Sequence, residues 1–132
     1  MLLRPAFGNA KVVYVTTIAG LPQRSALESF SLVDECNRND LVKVLANACK
    51  LSLMIARHKP DVVISTGALP GLIALVIAKV IFRKRTIWVD SVANGKEFSM
   101  SGRMAKRFSN LWLTQWEDVA QQSGATYLGR VI

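Results

Sequence analysis

The chain has 132 residues, 51% of them hydrophobic, and a formal net charge of +8. This length and composition predict a single domain over residues 1–132 and exclude a disordered tail. The sequence has no run of about 18 uncharged apolar residues, so we expect no membrane-spanning helix, and its start lacks the pattern of a signal peptide. Cys36 and Cys49 are too few for a disulfide scaffold and are predicted to be reduced thiols.

The first half of the chain predicts one strand, a connection and one long helix. The apolar run 12–15 is typical of a buried strand, and residues 18–38 are expected to form a long connection. Asp40 suits a helix cap, and the apolar residues after it recur with the period of a helix. The predicted buried face comprises Leu41, Val44, Leu45, Ala48, Leu51 and Ile55, and the predicted solvent face comprises Lys43, Asn47, Lys50 and Arg57.

Short apolar runs alternate with helical stretches beyond Pro60, which predicts an α/β fold with a Rossmann-like parallel sheet. Pro70 suits the first position of a helix, and Ser99 and Ser101 are both candidate caps for a later one. The predicted strands cover 61–65, 86–90, 111–114 and 126–128, and the predicted helices cover 71–82, 99–109 and 117–122.

Polar residues follow the predicted strands at the point where each strand ends. In an open parallel sheet these carboxyl ends share one edge, and ligands bind in the crevice along it. The alternative is that each polar residue only starts a turn or caps a helix. The polar ends are Thr16-Thr17, Ser65-Thr66-Gly67, Asp90-Ser91 and Thr114-Gln115.

The turn from Thr66 to Gly71 joins a strand to a helix N-terminus, where free N–H groups favour an anion. Tight packing of the strand against the helix is the alternative explanation, since the turn matches no phosphate-binding motif. Asp90 is the one acidic residue predicted at the C-terminal end of a strand. It could act as a general base, accept a hydrogen bond from a sugar hydroxyl, or simply cap the loop. His58 precedes a strand and is interpreted as structural, and one histidine with two distant cysteines predicts no metal site.

The positive charge is concentrated in residues 79–107, which hold eight basic and two acidic residues. Such a surface attracts phosphate groups on nucleic acid, anionic lipid or a sugar nucleotide. Helix 71–82 is predicted to be mostly buried, but Phe82 leads directly into Arg83-Lys84-Arg85, a combination that also suits a membrane surface. Nucleic-acid binding is the weakest interpretation because the segment lacks a reading motif.

Three segments together resemble the Alg-type acceptor-side subunits of split UDP-GlcNAc transferases: 61–71, 86–104 and 111–119. The shared features are a Thr-Gly turn, an aromatic strand ending in an acid and Ser, a Ser-x-Ser-Gly motif and a late Gln-Trp. They fall on Thr66-Gly67, Asp90-Ser91, Ser99 to Gly102 (with Ser101) and Gln115-Trp116, and Gly71 follows the first turn. The family usually has Glu where this chain has Asp90.

The resemblance implies one Rossmann-like half of a GT-B glycosyltransferase that binds a polyprenyl-diphosphate-linked acceptor. A separate partner chain would bind the UDP-sugar, and the pair would work peripherally at the cytoplasmic face of the membrane, without a metal or other cofactor. The family's opening strand and Gly-Gly-His-like loop have no counterpart in this sequence and are expected to be missing. Two alternatives stay open, a non-catalytic membrane scaffold that activates a glycosyltransferase and an unrelated Rossmann-like small-molecule enzyme.

Overall fold

The computed structural model describes residues 7–18, 30–36 and 38–130, which form a parallel α/β fold. The strands are β1 (Tyr14–Thr16), β2 (Phe30–Leu32), β3 (Val62–Ser65), β4 (Arg85–Val89), β5 (Leu111–Thr114) and β6 (Thr126–Tyr127). The helices are α1 (Leu41–His58), α2 (Ala68–Val80), α3 (Met100–Ala105), which continues as a 3₁₀ turn (Lys106–Phe108), and α4 (Glu117–Ser123).

The strands of the described residues form two parallel sheets. Strands β1 and β2 pair with each other, and the second sheet has the order β3-β4-β5-β6. Ser65 lies opposite Trp88 and Trp88 lies opposite Trp112, so the carboxyl ends of β3, β4 and β5 share one edge. The predicted parallel α/β fold is therefore confirmed.

The prediction of an unbroken connection over residues 18–38 is wrong, because β2 lies within it. Three residues are too short to show the alternation that identifies a strand in sequence. The remainder of that predicted connection falls largely outside the described residues.

Helix α1 begins at Asp40, whose side chain accepts a hydrogen bond from the Lys43 backbone N–H at 3.1 Å. That bond lowers the pKa of the Asp40 carboxyl. Since a lowered folded-state pKa stabilises the fold above the unfolded value, this contribution is present at neutral pH and is lost as the pH falls through the lowered pKa. The helix ends at Lys59, which adopts a left-handed conformation with φ 46°.

The buried face of α1 differs from the predicted one. Leu51 and Ile55 are buried as expected, but Leu41 and Leu45 are 69% and 66% exposed. Asn47, predicted to see water, is fully buried because its side-chain amide bonds the main chain of Asp34 in both directions. The helix therefore faces the core through a narrower stripe than its hydrophobic period indicates.

Helix α2 follows β3 and is the central packing element. It begins at Ala68, after Gly67, whose φ of 137° favours glycine, so Pro70 is its third residue rather than the predicted first. Its buried side chains divide between two clusters, Leu72 and Leu75 with Trp88, and Ile77 and Ala78 with α1. The chain leaves the helix through Arg83, a left-handed residue with φ 52°, and the Lys84 N–H then donates to the Ala78 carbonyl at 2.8 Å.

Candidate functional site at the carboxyl edge of the sheet

Asp90 follows β4 directly and is 1% exposed. Its Oδ1 accepts from Trp88 Nε1 at 3.1 Å and from Ser99 Oγ at 2.8 Å. Its Oδ2 accepts from Asn94 Nδ2 at 3.0 Å and from the Ser99 N–H at 3.1 Å. A carboxylate has about four acceptor positions, so all of them are engaged.

This geometry gives Asp90 a structural role, the loop-cap alternative that the sequence analysis left open. The side chain ties the end of β4 to the loop that follows and to the start of α3. A general base needs a free lone pair toward the hydroxyl it deprotonates. The catalytic assignment of Asp90 therefore remains a prediction that requires one of its four partners to leave.

Ser99 and Gly102 complete this arrangement at the start of α3. The Ser99 Oγ accepts from the Gly102 N–H at 2.9 Å while donating to Asp90, so one hydroxyl caps the helix and contacts the carboxylate. A Cβ on Gly102 would lie 2.6 Å from Asp90 Oδ1 and 2.8 Å from Phe98. Only glycine fits there, because Phe98 is also stacked on Trp112 with ring centroids 4.0 Å apart. Ser101 is half-buried beside them on the same helix.

Gln115 and Trp116 reach the same site from β5. Gln115 is buried, and its Nε2 donates to the Asp90 carbonyl at 2.9 Å. The Trp116 indole N–H donates to the Val92 carbonyl at 2.8 Å, which fixes the loop after Asp90. That loop and Trp116 border an open depression of about 410 Å³, lined by Val92, Ala93, Asn94, Gly95, Lys96, Glu97 and Trp116.

The indole ring of Trp116 forms one wall of the depression, and the Arg130 side chain lies on this ring. The guanidinium carbon of Arg130 lies 4.1 Å from the centroid of the Trp116 ring. A Cβ on Gly95 would approach the same ring to 3.1 Å, so Gly95 lets the loop backbone lie against the indole. Lys96 in the lining and Arg130 on the Trp116 ring make this side of the depression positive, which suits an anionic group.

The Thr66–Gly71 turn lies at the neighbouring strand end and meets the Asp90 group through Trp88. A Cβ on Gly71 would lie 2.1 Å from Ser65 Oγ and 4.0 Å from the Trp88 ring, so α2 starts in tight contact with β3. Thr66 is exposed, and Ser91 is half-buried with its Oγ accepting from the Ala93 N–H at 3.3 Å.

The structure thus brings together five of the predicted residues: Asp90, Ser99, Gly102, Gln115 and Trp116. Trp88 and Asn94 are the members that sequence reasoning missed. Trp88 precedes Asp90 by two positions on a strand, and this spacing, which places both side chains on one face, was the available signal.

The residues predicted to contact a membrane lie at the opposite edge of the sheet. Arg83 and Lys84 precede β4, and Arg85 is its first residue, so all three are at the amino end of the strand. Arg83 and Arg85 are exposed, whereas Phe82 is half-buried against the cluster that contains Ile77 and Ala78. The exposed apolar residues at this end of α2 are Val80 and Ile81, 61% and 64% exposed.

The described residues hold neither a metal-binding cluster nor a membrane-spanning helix. No group of three or more His, Cys, Asp or Glu side chains is arranged there to hold a metal ion. No helix in the same part of the chain is long and apolar enough to cross a membrane. His58 is exposed at the end of α1, at the amino edge of the sheet.

Comparison with solved structures defines the class of fold. The crystal structure of Acinetobacter baumannii MurG, a GT-B glycosyltransferase, superposes with a TM-score of 0.68 at 12% sequence identity. The match covers 83% of this chain and 34% of MurG, so the fold corresponds to a Rossmann-like part of that larger protein.

Comparison of sequences defines the family. The family described as "Oligosaccharide biosynthesis protein Alg14 like" matches residues 32–131, and the chain belongs to this Alg14-like family. A curated relative is the UDP-N-acetylglucosamine transferase subunit ALG14 of Eremothecium gossypii, 32% identical over 68 residues. That match covers 48% of this chain and 30% of the relative, so the aligned part is about a third of the relative's length.

Proposed function

We propose that this domain is the acceptor-side subunit of a two-chain UDP-GlcNAc transferase. It binds a polyprenyl-diphosphate-linked acceptor and recruits a sugar-nucleotide-binding partner to the cytoplasmic face of the membrane, for lipid-linked oligosaccharide or polysaccharide synthesis. The observation that carries this proposal is the family match over residues 32–131, since a relative in that family is a transferase subunit.

The carboxyl-edge site supports binding of the acceptor. Lys96 lines the open depression and Arg130 lies on its Trp116 wall, and this positive charge suits the diphosphate of such a lipid. The N-terminus of α2 at Thr66-Gly67 lies at the neighbouring strand end, and no side chain caps its first turn, which favours an anion there. The further proposed acceptor contacts are Gly71, Ser91, Ser99, Ser101, Gly102 and Gln115.

A non-catalytic scaffold that activates a glycosyltransferase is the second candidate, and one observation favours it. Asp90 is the carboxylate at the centre of the site, and its four hydrogen bonds come from within the domain. In that case the general base would come from the partner chain, and this domain would position the acceptor and the partner.

The proposal predicts that the purified chain transfers no GlcNAc by itself. A GT-B enzyme needs a sugar-nucleotide half, and the match to MurG spans only 34% of that protein. The measurement is transfer of radiolabelled GlcNAc from UDP-GlcNAc to a polyprenyl-diphosphate-linked GlcNAc. It is made with the chain alone, a candidate donor-binding partner alone, and both together. Turnover by the chain alone would contradict the two-chain arrangement, and no turnover by any combination would contradict the transferase assignment.

The cations at the amino edge are predicted to strengthen binding to anionic membranes. Each base near such a surface contributes about 1 kcal/mol, so removing two exposed bases weakens binding about 30-fold at low salt. The variant is Arg83→Ser with Arg85→Ser, which leaves the packed Phe82 and the half-buried Lys84 in place. Co-sedimentation with phosphatidylglycerol vesicles is the measurement.

The matched control for this variant is Lys96→Ser with Arg130→Ser, which removes the same charge at the opposite edge of the sheet. It is expected to lose less affinity than the amino-edge variant, because the Arg130 guanidinium is held against the Trp116 ring. Equal losses in the two variants would show that only net charge matters, and no loss in either would make the cluster an ordinary solvated surface.

A further inference from the structure

Asp90 is a buried negative charge that neutral groups surround. Its side chain is 1% exposed, and its four hydrogen-bond donors are an indole, an amide, a hydroxyl and a backbone N–H. In the part of the chain that the structure describes, no cationic side chain forms an ion pair with Asp90. Burying a carboxylate without a cation is unfavourable, so a ligand that uses this charge would explain its presence.

Three of the four donors are fixed by other contacts. Trp88 is fully buried in the core cluster that contains Leu72 and Leu75. The Ser99 Oγ also caps α3, because it accepts from the Gly102 N–H at 2.9 Å. The backbone N–H of Ser99 belongs to the same turn. Displacing any of these three donors would therefore disturb either the core or the start of α3.

Asn94, the fourth donor, is half-buried and lines the open depression. Its Nδ2 donates to Asp90 Oδ2 at 3.0 Å. Separate contacts hold the backbone around it. The Asn94 N–H donates to the Ser91 carbonyl at 3.0 Å, and the Trp116 indole N–H donates to the Val92 carbonyl at 2.8 Å. The Asn94 side chain can therefore rotate away without moving the loop, and Asp90 Oδ2 would then face the depression.

We propose that the Asn94 amide occupies the position of the acceptor hydroxyl in the free domain. When the lipid-linked acceptor binds, a hydroxyl of its sugar donates to Asp90 Oδ2 and the Asn94 side chain turns toward solvent. Lys96 and Arg130 lie at the same depression and hold the diphosphate of that ligand. Asn94 is a positioning residue, because it acts on the reaction only through Asp90. This inference rests on the proposed function, in which the domain binds the acceptor.

The exchange of Asn94 for a hydroxyl prepares Asp90 to act as a base. Before it, Oδ2 accepts from Asn94 and from the Ser99 N–H and has no lone pair left for a hydroxyl. After it, the hydroxyl oxygen attacks the anomeric carbon of the UDP-GlcNAc held by the partner, and its proton passes to Asp90 Oδ2. The bond from that carbon to the diphosphate oxygen breaks, and its electron pair leaves with UDP. The proton on Asp90 is then released to water.

The first test follows the Asn94 side-chain amide by NMR in a chain carrying isotope-labelled asparagine. The amide signal is assigned through its connection to the Asn94 backbone signals. Farnesyl-diphosphate-linked GlcNAc is expected to move this signal to the position of a solvent-exposed amide and to speed its hydrogen exchange with water. Farnesyl diphosphate alone has no sugar hydroxyl, so it should leave the amide on Asp90. Binding of the GlcNAc lipid with an unchanged Asn94 signal would overturn the proposal.

The second test measures kcat and KM of the reconstituted pair. Asn94→Ala removes the amide that competes with the hydroxyl, so KM for the acceptor is expected to fall about three- to tenfold while kcat is retained. If Asn94 instead held Asp90 in its catalytic orientation, its removal would lower kcat, and that result would overturn the proposal. Asn9→Ala is the matched control, because it makes the same change at an exposed position before β1. It should alter neither constant.

The outcomes separate this inference from the proposed function. A pair that transfers GlcNAc while the Asn94 amide stays on Asp90 would overturn the exchange and leave the function standing. Displacement of Asn94 by the GlcNAc lipid, in a chain that supports no transfer with any partner, would do the reverse. Displacement by farnesyl diphosphate alone would show that the diphosphate competes with Asn94, and the role given to the hydroxyl would then be wrong.

Discussion

Replacing Asp90 by asparagine is expected to lower the free energy of unfolding by about 2–3 kcal/mol. The carboxylate accepts four hydrogen bonds, two on each oxygen, and the amide of Asn would turn an N–H₂ group toward one pair of donors. With the amide on the Oδ2 side it would oppose the Ser99 backbone N–H, which cannot reverse its role. Chemical denaturation followed by tryptophan fluorescence measures the effect.

The control is Asp61→Asn, an exposed carboxylate before β3 whose replacement should change stability by no more than about 0.5 kcal/mol. An Asp90→Asn protein as stable as the unmodified chain would contradict the structural role. Activity of the reconstituted pair, measured where the variant remains folded, then separates the two functional candidates. Loss of a general base costs about 10²–10⁴ in rate, whereas a scaffold that still folds retains most of its activity.

Gly102→Ala is expected to destabilise the domain by about 2–3 kcal/mol, although alanine normally improves a helix by about 1 kcal/mol. The new Cβ would lie 2.6 Å from Asp90 Oδ1, 2.8 Å from Phe98 Cδ1 and 2.9 Å from Ser99 Oγ. None of the three can withdraw easily, because hydrogen bonds hold Asp90 and Ser99 and the Trp112 ring holds Phe98. Thermal and chemical unfolding measure the loss.

Ser101→Ala is the comparison for Gly102→Ala, since it adds helix propensity at the neighbouring position of α3 without filling the space beside Asp90. It should be neutral or slightly stabilising. A stabilising Gly102→Ala would show that the start of α3 moves freely away from β4, and the tight packing of the site would then be wrong. The double variant with Asp90→Asn should lose less than the sum, because both changes disturb one network.

The sequence predicted most strands and helices of the fold because their patterns are local. β3, β4 and β5 are apolar runs bounded by turns, and Asp40 caps α1, although α2 begins two residues before Pro70. β2 was missed, since it depends on pairing with β1 rather than on its own three residues. The burial of Asn47 likewise depends on Asp34, thirteen positions earlier, and no hydrophobic period encodes such a partner.

The candidate site shows the same division. Polar residues at strand ends predicted the carboxyl edge, and Asp90, Ser99 and Gln115 do meet there. The pattern did not show which way the Asp90 side chain points. Its oxygens accept hydrogen bonds from Trp88 and Asn94 and do not face open space. The exposure of Leu41 and Leu45 was also mispredicted. Apolar residues at helical spacing predict an apolar environment, but the spacing alone does not show whether the core of the protein provides it.

The left-handed residue in the turn after α2 sets stability against charge. Arg83 holds a φ of 52°, a conformation that costs an L-residue about 1–2 kcal/mol and that glycine adopts freely. An engineering campaign scored only by melting temperature would therefore accept glycine at this position. Arg83→Gly would raise the stability of the fold but remove a cation from the amino edge. Stability and electrostatic attraction to anionic surfaces therefore change in opposite directions at this residue.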